Sequence, residues 1–215
     1  MSLDIKSLAQ PDAVLIQHGL RAVGFYDGTT NGNPGNLTLD AYKRYLASLA
    51  AVEQPGNSLA AKLVGILKRE EGVREQPVNT NRGKRVEEYQ SATWLPGSGW
   101  AWCAAFICWG VRELEKLADL PFPRPQTAGA WDFERWAKED AGPTVKLHKP
   151  KQEIKAGDIV IFTFSHIGLA IEDEKHGMVT TVEGNTSTSG SREGGGVYIQ
   201  ERKTSLIRSH IRLFA

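Results

Sequence analysis

The sequence predicts an α+β fold preceded by a small all-α domain. Three observations carry this expectation. Apolar residues recur at helical spacing through the first two thirds of the chain, and from residue 157 onward short runs rich in Val, Ile, Thr and aromatics alternate with turn formers. Between two stretches of helical periodicity lies the turn-forming segment Val52 to Ser58, which contains Pro55, Gly56 and Asn57. Helices first and strands later make a domain whose sheet is mainly antiparallel. With 215 residues, 40% hydrophobic and 24% charged, the chain can build one sizeable core plus an accessory unit and lies outside the compositional range of disorder.

Residues 13–24 place Ile16, Leu20 and Val23 at helical spacing and stop at Gly24; residues 38–50 repeat the pattern with Ala41, Tyr45 and Leu49. The turn formers between them, from Asp27 and Gly28 through Asn31, Gly32, Pro34 and Gly35, predict a compact loop. Residues 1–52 thus read as one helical unit, 53–57 as a linker with Asn57 or Ser58 as the next N-cap, and 58–215 as the second domain. There Leu59, Leu63, Ile66 and Leu67 form one face of a helix running to about Glu71. A long polar approach leads to Gly97, Ser98 and Gly99, followed by a helix over 102–117 whose first half is almost wholly apolar and therefore buried. After the proline-rich turn 121–125, residues 127–136 read as another helix. Five strands are expected at 158–162, 166–171, 178–182, 197–201 and 207–213, with Gly194, Gly195 and Gly196 in a loop.

Charge excludes some classes of function. The formal net charge is +1, and the most basic stretch, Lys62 to Arg85, is diluted by Glu70, Glu71 and Glu75, so it reads as a solvated face and not a nucleic-acid surface. Neither a basic-then-apolar leader nor a run of about 18 apolar residues occurs, so synthesis in the cytoplasm and no membrane insertion are expected. The two cysteines, Cys103 and Cys108, lie five residues apart on one helix, point to different faces and should not be bridged.

Chemistry concentrates on Cys103. It occupies the first turn of the apolar helix, where unpaired backbone N–H groups and the positive end of the helix dipole favour a thiolate. Cys108, deeper in the helix, reads as a small apolar residue. Of the five histidines, His166 opens a strand that can meet that helix start, and Glu183 and Asn185, at the end of the next strand, are placed to orient its ring. His18 belongs to the first helical unit, and His148, His176 and His210 read as solvated. A thiol, a base and a group that orients the base are the parts of nucleophilic catalysis. All six tryptophans fall between residues 94 and 136. Trp94, Trp100 and Trp102, beside glycines, are the candidates for a groove wall, whereas Trp109, Trp131 and Trp136 are expected to fill the core.

Two resemblances extend this reading. Gln17, Leu20, Val23, Gly24, Phe25, Tyr26, Asp27, Gly28, Gly32, Gly35, Thr38, Ala41 and Tyr45 fall where the small helical peptidoglycan-binding domain of cell-wall hydrolases has its pattern, with Asn31 and Leu46 as departures. The blocks Trp102 to Phe106, Gly157 to Val160, His166 to Gly168 and Glu183 to Asn185 resemble the signature of the CHAP family, cysteine- and histidine-dependent amidohydrolases and peptidases related to NlpC/P60 enzymes. The order agrees, with His166 following Cys103 by 63 positions and Glu183 following His166 by 17. The segment from Gly72 through Tyr89, with Ala130, Trp131 and Trp136, is similar to a phage-associated branch of the family.

The resemblance implies a papain-like fold and cleavage of an amide bond in bacterial peptidoglycan, with Cys103, His166, Glu183 and Asn185 as the catalytic set. Trp94, Trp100, Trp102 and Tyr89 are the substrate-binding candidates; Tyr89, Asn79 and Asn81 are also candidates for a second oxyanion donor. No cofactor, no metal and a monomer are expected. An endolysin released by a holin fits these features, whether muramoyl–alanine amidase or peptide endopeptidase. A secreted interbacterial amidase effector, a non-catalytic wall-binding or virion module, and a protease of folded proteins are the alternatives.

Overall fold

A computed structural model of the chain describes residues 5–52, 58–118 and 124–214. The expected linker 53–57 and residues 121–123 of the proline-rich turn lie outside the described residues. The chain divides into two compact units, Met1–Ser58 and Leu59–Ala215.

In the first unit, α1 (Gln10–Ala22) and α2 (Asn36–Val52) pack around Leu20, Tyr26 and Ala41. The loop between them is held by a side chain from the helix. Gln17 is fully buried; its amide donates to Asn33 O and Thr38 Oγ1, and its carbonyl accepts from Gly32 N, each at 3.0 Å. One buried amide thus satisfies three loop groups that burial would otherwise leave unpaired. Val23, an expected core position, is exposed because the chain turns at Gly24 before a second face can form.

The second unit contains α3 (Leu59–Lys68), α4 (Lys84–Gln90), α5 (Cys103–Ala118) and α6 (Asp132–Glu139), followed by the strands β1 (Lys146–His148), β2 (Ile159–Phe162), β3 (Ile167–Ala170), β4 (Met178–Thr186), β5 (Gly196–Lys203) and β6 (Ile207–Arg212). The sheet order is β1-β6-β2-β3-β4-β5, and every neighbouring pair is antiparallel. The domain is therefore α+β. Helix α5, buried along Cys103 to Val111, packs on β3 and β4 and is flanked by α3 and α4. Sequence patterning did not reveal α4 or β1. The seven residues of α4 carry only Val86 and Tyr89 as apolar anchors, and β1 is too short to alternate.

Two glycines bring the layers close enough to build a site. A Cβ on Gly184 would meet Trp102 Cζ3 at 2.7 Å and Phe106 Cβ at 2.8 Å, so the bare backbone of β4 is what lets α5 lie against it. On β3, a Cβ on Gly168 would meet Glu183 Cγ at 2.7 Å. The space at Gly168 is filled by the Glu183 side chain.

Candidate active site

Cys103 is the first residue of α5 and is 6% exposed, with its thiol free. The residue before it is fixed from the sheet: Asn185 Oδ1 accepts the Trp102 backbone N–H at 2.7 Å, and Trp102 O opens the helix by accepting from Phe106 N at 2.9 Å. The indole of Trp102 is fully buried and donates to Glu75 Oε1 at 2.9 Å. The start of α5 is thus tied down through both backbone and side chain.

His166 lies just before β3 and is fully buried. Its Nε2 is 2.9 Å from Glu183 Oε2, and its Nδ1 has no hydrogen-bond partner among the described residues. Burial works against a charged ring, but the Cys103 side chain and the Glu183 carboxylate outweigh it and push the His166 pKa up to about 9. The ring also stacks with Phe162 at 5.9 Å and Phe164 at 6.0 Å between centroids.

Glu183 is fully buried and fully engaged. Besides His166 it accepts from Thr181 Oγ1 at 2.6 Å, from Arg202 Nε at 2.8 Å on Oε1, and from Arg202 Nη2 on Oε2. Burial would raise its pKa; the hydrogen bonds and charges of Arg202 and His166 win and hold it below the usual carboxylate range. Arg202, on β5, is itself 8% exposed and was not singled out from the sequence. Its position in the polar run Gln200 to Lys203 resembles a solvated strand end.

No hydrogen bond joins Asn185 to His166 among the described residues; its side chain bonds Trp102, Asn81 and Gly194 instead. The β4–β5 register shifts between Glu183 and Thr186, and Asn185 takes a left-handed φ of 58° at that bulge. Regular alternation would have put Glu183 and Asn185 on one face, whereas the bulge turns Asn185 to the helix start. Its Nδ2 donates to Gly194 O at 2.9 Å and to Asn81 Oδ1 at 3.3 Å. Asn79, Asn81 and Asn185 line a polar cleft of about 240 Å³ together with Glu75, Glu193 and Gly194.

The aromatic candidates separate by burial. Trp94 is 66% exposed and Trp100 half-buried, so both remain available to a groove. Trp102 and Tyr89 are not groove residues. They stack on each other at 5.5 Å in the core, and the Tyr89 hydroxyl donates to Glu70 Oε2, which also removes it as an oxyanion donor. Trp109 and Trp136 fill the core as expected, but Trp131 is 44% exposed, its indole N–H donating to Phe162 O at 3.1 Å.

Cys108 is fully buried, its thiol donating to Thr127 O at 3.4 Å, and burial pushes its pKa up. His210 is not solvated: it is fully buried and stacked on the half-buried His148 at 4.8 Å, with no hydrogen bond to either ring nitrogen among the described residues and the Asp158 carboxylate 3.7 Å from Nε2. The Gly157–Asp158 block is structural. Asp158 joins β2 to β6 by accepting from Arg212 Nε at 2.9 Å and Nη2 at 2.8 Å.

Residues 95–185 match the family model of the CHAP domain. That span begins in the approach to α5 and ends at Asn185, and it contains Cys103, His166 and Glu183. A CHAP domain is papain-like and implies hydrolysis of peptidoglycan as an amidase or peptidase. No curated protein matches the chain. Among the described residues, no helix is long and apolar enough to cross a membrane.

Proposed function

We propose, from the match of residues 95–185 to the CHAP-domain family model, that the chain cleaves an amide bond of bacterial peptidoglycan through a thiol nucleophile, Cys103, with His166 as its acid and base. The observation that carries this reading is the buried His166 ring, bonded through Nε2 to the buried Glu183 carboxylate at 2.9 Å and held protonated by that carboxylate together with Cys103 at the start of α5. Glu183 takes the Nε2 proton as a hydrogen bond, so Nδ1 exchanges the proton with the thiol.

In the proposed reaction the Cys103 sulfur attacks the amide carbonyl, and the Cys103 backbone N–H, in the first turn of α5, donates to the oxyanion. A ring that holds its proton at neutral pH supports the thiolate beside it and delivers that proton to the leaving amine. Water then enters, gives a proton to His166 and releases the acyl group from sulfur. Asn185 fixes the helix start and touches no reacting atom in this scheme. Trp94 and Trp100 are proposed to wall the groove for the glycan–peptide strand, and Asn79 and Asn81 are the remaining candidates for a second oxyanion donor.

The test is incubation of purified protein with purified peptidoglycan, scoring new amino termini and identifying the fragments by mass spectrometry. Wild type is expected to release amines and Cys103→Ala none. A fragment ending at the muramoyl lactyl group assigns an amidase, and a cut within the stem peptide an endopeptidase. Equal release by Cys103→Ala, or none by wild type, overturns the reading in favour of a non-catalytic wall-binding module.

A further inference from the structure

The Glu183 carboxylate carries more than its bond to His166 requires. Its two oxygens accept from His166 Nε2, Thr181 Oγ1, Arg202 Nε and Arg202 Nη2, all inside a fully buried pocket. Arg202 grips it with two parallel donors, and Oε2 is shared between the guanidinium and the imidazole. The guanidinium is fixed in turn. Nη1 donates to Gly190 O at 3.0 Å, and its plane lies over Phe162 and Phe164 at 5.3 and 5.7 Å, the same two rings that stack with His166. Gly190 keeps this space open, since a Cβ there would meet Arg202 Nη1 at 2.6 Å.

We propose that Arg202 is a positioning residue of the site: it holds Glu183 as a carboxylate aimed at Nε2, which keeps Nδ1 of His166 turned to Cys103. The inference rests on the Cys103–His166 reading above and adds a residue outside the matched span 95–185. The physical ground is burial. An isolated carboxylate in this pocket would take up a proton, and a protonated Glu183 neither supports an imidazolium nor selects the tautomer. Arg202 supplies the compensating charge without competing for the proton, because a guanidinium does not deprotonate. The groups that reach the His166–Glu183 pair are Cys103 from α5, Thr181 from β4 and Arg202 from β5; Phe162 and Phe164, from β2 and the segment after it, bring no charge.

The test reads the thiol directly. Iodoacetamide alkylation of Cys103 is followed by mass spectrometry from pH 5 to 10 in wild type, Arg202→Met, Arg202→Lys, Glu183→Gln and the double variant Glu183→Gln/Arg202→Met, with circular dichroism to establish that each is folded. Arg202→Met is expected to slow alkylation at neutral pH by about ten-fold or more, the scale on which outer partners of site residues act. The fall of wall-cleaving activity at alkaline pH is expected to move to lower pH in the same variant. Arg202→Lys should lie between the two, and the double variant should be no slower than Glu183→Gln alone, because Arg202 acts through Glu183. Should Arg202→Met misfold, the Lys variant and the comparison of Glu183→Gln with the double variant carry the decision. An unchanged alkylation profile in folded Arg202→Met or Arg202→Lys, or a double variant slower than Glu183→Gln, overturns the proposal. Failure of wild type to cleave peptidoglycan while these profiles behave as expected overturns the substrate reading and leaves the role of Arg202 standing.

Discussion

Two cysteines five residues apart in α5 have opposite surroundings. Cys103 meets a buried imidazole that holds its proton up to about 9, while Cys108 lies in apolar core and spends its thiol on Thr127 O. Iodoacetamide is therefore expected to label only Cys103 in the folded protein, and Cys108→Ala should keep wall cleavage while losing about 1 kcal/mol of stability, the scale of one neutral hydrogen bond. Asn185 belongs to the same scale. Asn185→Ala strips the acceptor from the Trp102 N–H, and a buried donor left unpaired costs about 1–3 kcal/mol. Thermal melting should show that loss, and activity should fall through the displaced start of α5 with the pH profile unmoved. The places of Cys103 and His166 in the fold were legible in the sequence because a helix start after glycines and a histidine opening a strand are local patterns. Arg202 was not, because its burial depends on the Glu183 carboxylate across the β4–β5 pair, and alternation among Gln200, Glu201, Arg202 and Lys203 shows no sign of it.

At the scale of elements, the site depends on how closely β4 approaches α5. Gly184 sets that approach, so Gly184→Ala must displace Trp102 or Phe106; overpacking of this kind typically costs about 1–3 kcal/mol. A lower melting temperature with a proportionate loss of activity is the expected outcome, and an unchanged melting temperature would show that the layers can part at no cost. The long periodic elements were readable in the sequence to within a few residues: α1, α2, α3, α5 and the strands β2 to β6 all arise where the apolar spacing places them. What escaped was the irregular part. The bulge at Asn185 reverses the face that a regular strand would present, which is why two residues expected on one imidazole serve two different elements. Helix α4 escaped because its stability comes from tertiary contacts: Arg85 holds Glu70 with two donors at 2.7 Å and lies over Trp109, and none of these partners is near it in sequence.

For the whole molecule, two buried histidines bias the pH dependence of stability in opposite directions. His166 has its pKa raised from 6.5 to about 9, so it contributes stability fully below pH 6.5 and loses that contribution as pH rises through about 9. Burial drives His210 the other way: despite the Asp158 carboxylate 3.7 Å from its Nε2, its pKa falls from 6.5 to about 4. The neutral ring of His210 therefore stabilises the fold above pH 6.5, and that contribution disappears as pH drops through about 4. Glu183, with its pKa lowered, adds to the acid loss once it is protonated. Melting temperature against pH should peak near 6.5 and decline on both sides. The assignment is checked by difference, since other carboxylates also titrate in acid. His210→Phe fills the same buried place against His148 without a group that must charge, and it should flatten the acid limb while leaving the alkaline one. His166→Gln should flatten the alkaline limb and abolish wall cleavage. An acid limb unchanged by His210→Phe would assign the acid loss to the carboxylates alone, Glu183 first among them because it is fully buried and its pKa is lowered.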